Sequence, residues 1–197
     1  MKKLHSMIMM IAMMVASLSL TACNGDDEDG ISKWKKTLTI DGESYYCSKY
    51  SKVSQSYGWE SLGDLEWYDR GMYLTICAIG DTKKYSHYVE KNLTIVLPPS
   101  RVSMLKVGDV FDYDRISVRN FNNYNEIVLD TYNWDAISGN ITIREITETT
   151  LTIQINKLVI ESHRGAKRTI DGIATLTNSL SDSNGNVLPF SYNPYKK

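Results

Sequence analysis

The chain has 197 residues, enough for one domain with a real core, and its 22 basic residues stand against 23 acidic ones. A balance this close to neutral, without a clustered basic face, carries no electrostatic footprint for nucleic acid. The turn containing Arg164, Lys167 and Arg168 is too small to supply one and reads as a solvated hairpin tip.

The first element is a leader. Lys2 and Lys3 precede an apolar run from Met7 to Leu20, broken only by Ser17 and Ser19, and small Ala22 stands before Cys23. A charged start, a short apolar middle and a small residue at the cut describe a secretory signal. The run is short for a transmembrane helix, which takes about 20 apolar residues. Asn24-Gly25 and the acidic run Asp26-Asp27-Glu28-Asp29 follow it, with no basic stop-transfer cluster.

Leu20-Thr21-Ala22-Cys23 resembles the lipobox of bacterial lipoproteins. The resemblance implies a diacylglycerol on the Cys23 sulfur, cleavage before Cys23 and acylation of the new amino group. Two or more acyl chains hold a protein stably, where one binds reversibly. The membrane is then a partner through the anchor at Cys23. The acidic run resembles the export signal of Bacteroidetes surface lipoproteins, which implies an outer-membrane address facing the cell exterior. Such a charge block also makes a solvated, self-repelling linker. The expected organisation is signal peptide 1–22, acylated acidic tether 23–32, one β-rich domain 33–180 and a loop-like tail 181–197.

Within the domain, Thr37 to Ile40 alternates polar and apolar, Asp41-Gly42 follows, and an aromatic-rich run resumes from Ser44 to Tyr50. An Asp-Gly pair between two such runs signals a hairpin. Ser54 to Tyr68, with Gly58 and Gly63, reads as a long irregular segment. Met72 to Ile79 and Leu93 to Leu97 read as apolar strands, the second stopped by Pro98-Pro99, with room for one helical turn in Ser100 to Val107. Asn120 to Asn125 reads as a polar loop before a strand at Ile127 to Tyr132.

The last third is the most regular. Gly139 to Ile146 and Leu151 to Ile160 alternate around a short Thr147-Glu148-Thr149 connection, and the second slips phase at Asn156-Lys157, which predicts a bulge. After a loop holding Gly165, Thr169 to Thr177 returns, with Gly172 at a kink or a close approach. The three make a meander. Ser138 to Ile143, Thr150 to Ile155 and Thr169 to Gly172 are similar to β-domains of small Bacteroidetes lipoproteins, a likeness that implies a surface β-domain and transfers no activity. The fold class expected is all-β, an antiparallel β-sandwich or partly closed β-barrel of about eight or nine strands.

Chemistry-bearing patterns are few. The chain has no Gly-x-Ser-x-Gly elbow, no phosphate-cradling Gly-rich loop before Lys-Ser/Thr and no His-Glu-x-x-His. No catalytic role, metal or cofactor is therefore assigned. His87 and His163 read as exposed turn histidines. Asp109, Asp112 and Asp114 lack a calcium-loop pattern and read as a polar strand edge beside Arg115. Cys47 and Cys77 fall in strand-like runs and form a candidate disulfide or two buried free thiols. The suggestive excess is aromatic: 13 Tyr and four Trp against three Phe. Tyr and Trp join a large apolar face to a polar tip, which suits a contact surface. Tyr57, Trp59, Trp67 and Tyr68, with Tyr132 and Trp134, are the candidate binding residues for a glycan or protein ligand. Three functions are open: such a binding module, a structural or assembly subunit of a surface complex, and a lipocalin-like binder of a small apolar ligand.

Overall fold

A computed structural model describes residues 37–55, 71–80, 91–123 and 134–194. The expected leader, Cys23, the acidic run, most of the irregular segment after Ser54, His87 and the expected strand at Ile127 to Tyr132 lie outside the described residues. The described elements all fall within the compact unit Lys35–Lys197.

The fold is all-β, as the alternation predicts. Ten strands are described: β1 Leu38–Ile40, β2 Glu43–Cys47, β3 Lys52–Ser54, β4 Met72–Ile79, β5 Lys91–Leu97, β6 Val110–Asp112, β7 Ser117–Asn123, β8 Trp134–Ile146, β9 Thr150–Ser162 and β10 Lys167–Asn178. They belong to one mostly antiparallel sheet. Hydrogen-bonded neighbours can be followed from β1 through β2, β4, β5, β7, β8, β9 and β10 back to β1, a closed ring of eight strands. β3 is inserted between β4 and β10 and pairs parallel with β10. β6 stands off the ring against β8.

Asp41-Gly42 is the two-residue turn of the β1–β2 hairpin, with Ile40 opposite Glu43. Both turn residues have positive φ, 55° and 83°, the conformation that matches the strand twist in such turns. Single helical turns form at Val102–Met104, as the sequence allows, and at Tyr113–Arg115. One expectation fails. Asn120 to Asn123 is strand, not loop, because these residues pair with β5. The ladder with Lys91 to Thr94 of β5 overrides the weak strand propensity of asparagine.

The meander of β8, β9 and β10 is as expected, and so is its bulge. Pairing between β8 and β9 shifts between Ser138 and Asn140, opposite Lys157, whose φ is 45°. The Asp171 carboxylate accepts the Lys157 N–H at 2.9 Å. A non-glycine residue in this left-handed region carries strain. Lys157→Gly should therefore raise stability by about 1 kcal/mol in urea melts, whereas Asp171→Ala should lower it by about the same amount. The described tail after β10 has turns and one isolated bridge but no strand, and it is tied to the domain: Leu188 N–H donates to Leu180 O, Phe190 N–H donates to Glu148 O, and Phe190 packs on the core.

One face of each ring strand feeds a single apolar cluster. Leu74, Ile95, Ile141, Ile143, Leu151, Ile153 and Ile155 are among its fully buried members. Burial of each such side chain contributes about 1.5–3 kcal/mol.

Candidate functional site

Of the aromatic binding candidates, only Trp134 falls among the described residues, and the structure moves it from the surface to the core. It is 4% exposed and meets Phe121 edge to face, with ring centroids 5.4 Å apart. The register explains this. Trp134 pairs with Val118, which pairs with Ile95, so its side chain takes the apolar face. Tyr57, Trp59, Trp67, Tyr68 and Tyr132 lie outside the described residues.

The cysteines are neighbours and yet unbonded. Cys47 pairs with Ala78, so Cys77 is one residue out of step and points to the other face of the sheet. A disulfide needs both Cβ vectors to converge. Ser51, almost fully buried, sits between them. Its hydroxyl accepts the Cys77 N–H at 3.0 Å and donates to Cys77 O, and the Cys47 thiol lies 3.4 Å from it. Burial pushes the Cys77 thiol above its ordinary pKa, with Lys52 acting the other way. The Cys23→Ser chain, purified without reductant and denatured, should titrate two thiols. In the native state Cys77 should resist alkylation at pH 8, because the thiolate is the reactive form.

The remaining candidates are surface features. His163 lies in the β9–β10 turn, exposed, with Nε2 3.5 Å from Asp135 Oδ2. Arg168 and Lys167, at the start of β10, meet Asp41 and Glu161 at 3.5 and 3.8 Å. Asp109 shapes a turn by accepting the Lys106 N–H at 2.8 Å, and Arg115 lies over the Phe111 ring rather than against a carboxylate of that group. Among the described residues, no three His, Cys, Asp or Glu side chains are grouped to hold a metal.

A site that the sequence reading passed over lies where β2 and β5 meet the end of the ring. Lys91 is 9% exposed and is the one charged residue among the buried described residues. Its strand alternates Lys91, Leu93, Ile95, Leu97 on the buried face. Its ammonium lies 5.0 Å from the centre of the Tyr45 ring, itself only 3% exposed. The Tyr45 hydroxyl donates to Glu43 Oε2 at 2.7 Å. Lys91 makes no ion pair with a described carboxylate. A cation–π contact returns about 0.5–2 kcal/mol, less than the several kcal/mol that complete removal of an ammonium from water costs. Beside Lys91 on the opposite face, Asn92 Oδ1 is buried without a hydrogen-bond donor, as is Asn120 Oδ1 on β7. The signal was present in the sequence as a lysine in phase with three apolar residues.

No family model matches the chain, and no curated protein or solved structure matches it either. The functional argument therefore rests on the residues themselves.

Proposed function

We propose that this chain is a lipid-anchored surface module of a bacterial outer envelope that binds a glycan or a protein and catalyses no reaction. Acylated Cys23 holds it to the outer membrane, and the acidic run from Asp26 to Asp29 spaces the domain outward from the cell as a solvated tether. The observation that carries the binding reading is the ring itself. Its apolar face forms one continuous cluster, so recognition falls to the strand ends and the segments between them, held by a rigid scaffold. Closures of about eight strands either fill with side chains or hold one small ligand, and the single cluster of buried side chains on the apolar face favours a filled scaffold.

The test uses the full chain purified in detergent, presented to panels of polysaccharides and surface proteins. A hit that weakens about tenfold on Trp59→Ala or Trp67→Ala supports recognition by the irregular segment. Binding that survives both changes removes those residues from the proposal. Mass spectrometry of native material should find Cys23 acylated. An unmodified Cys23, or a Cys23→Ser chain that still partitions with the envelope, sinks the anchor.

A second reading, an assembly subunit of a surface complex, is favoured by a different observation. Met104, Val107, Val110 and Tyr113 are all exposed along one short stretch, and Val110 belongs to β6, the strand that stands off the ring. Exposed apolar groups of this kind suit a protein contact. One stoichiometric partner co-purifying from native membranes would favour it, and a solitary monomer there would count against it.

A further inference from the structure

We infer that Lys91, with Tyr45 and Glu43 beside it, is a recognition position for the carboxylate of an acidic sugar. This rests on the glycan side of the function proposed above and names the class of glycan.

Three observations converge. First, Lys91 occupies a position where strand phase calls for an apolar residue, in line with Leu93, Ile95 and Leu97. A place where the local pattern is broken without an evident stabilising return is where function is expected. Second, the residue is only 9% exposed, and its ammonium lies against an aromatic face with no ion-pair partner among the described carboxylates. The attraction it offers to an incoming anion is little screened by water. Third, Lys91 opens β5, opposite Ala78 near the close of β4 and Asn123 at the close of β7, so it stands at an end of the ring and not in its middle. Its stem can pack along the core while the charged head faces that end.

The neighbours decide between kinds of anion. Glu43 is exposed and accepts the Tyr45 hydroxyl at 2.7 Å. Its carboxylate still has lone pairs for further donors. A site with one cation, one phenol and one carboxylate suits a ligand that carries an anion and several hydroxyl donors together. A sugar acid is such a ligand. A bare inorganic phosphate or sulfate brings the anion without that set of hydroxyls and makes less use of the Glu43 carboxylate.

The experiment is calorimetric titration of the full chain in detergent with oligomers of galacturonic, glucuronic and sialic acids, each beside its neutral methyl ester. The expected result is binding of at least one acid, weakened about tenfold or more in its ester. Lys91→Met should remove the same factor while leaving the melting temperature unchanged or raised, since an apolar residue of similar volume fits a buried charge position. Glu43→Gln should weaken binding without abolishing it. Equal binding of acid and ester, or full binding by Lys91→Met, overturns the inference and leaves the glycan reading standing. Binding of neutral polysaccharides alone does the same. Binding of proteins alone overturns both.

Discussion

Gly172→Ala should be the most damaging small substitution in the domain, costing about 3 kcal/mol or more in urea unfolding of the Cys23→Ser chain. Gly172 has φ 121°, and a Cβ built there would come 2.1 Å from Thr37 O and 2.9 Å from the Leu38 Cα. These are backbone atoms and cannot rotate away. The contact is the seam of the ring, where Leu38 pairs with Gly172 and the Ile173 N–H donates to Thr37 O. Pushing β1 off β10 also exposes Leu38 and Ile40. Gly139→Ala should behave similarly, since its Cβ would meet Lys157 O at 2.3 Å with φ 90°. Gly165→Ala is the control. It shares a positive φ, 83°, but nothing lies within 4 Å. Its cost should be about 1 kcal/mol, from conformation alone. If all three alanine variants unfold at the same urea concentration, the seam is not where the structure places it.

Trp134→Ala should cost about 3–5 kcal/mol, the range for deleting a large buried aromatic. The reason is its burial at 4% and its edge contact with Phe121. A surface binding residue would behave differently: truncation would weaken ligand contact and leave the melt nearly unchanged. Trp134→Phe separates the two further. It keeps an aromatic in the layer and should recover much of the lost stability. A Trp134→Ala protein with a parental melting curve would return this residue to the list of surface contacts.

Alternation made most of the strands legible. Met72–Ile79 was bounded to the residue, because Gly80 and the apolar run punctuate it. The Asp41-Gly42 hairpin and the Lys157 bulge were legible for a similar reason, since each is a demand of the backbone within a few residues. β3 and β6 were not legible. Each is three residues long and has no period of its own; each exists because a neighbour offers a ladder. The same holds for Asn120 to Asn123. Cys47 and Cys77 show the limit most clearly. That both sit in strands could be read from composition. That they face opposite sides depends on whether Cys47 meets Ala78 or Cys77, a one-residue matter of register.

The chain by itself determined its all-β character, its turns and the apolar stripe of each long strand, because these follow from side-chain chemistry over a few neighbouring positions. Tertiary structure alone decided that β10 meets both β1 and β3, that the pairings close on themselves, that Trp134 is core and that Lys91 is a buried cation beside Tyr45. Tyr45 and Lys91 are 46 positions apart in sequence. Only long-range pairing sets such distances, since register is chosen by the summed burial of whole strands and not by any local run of residues.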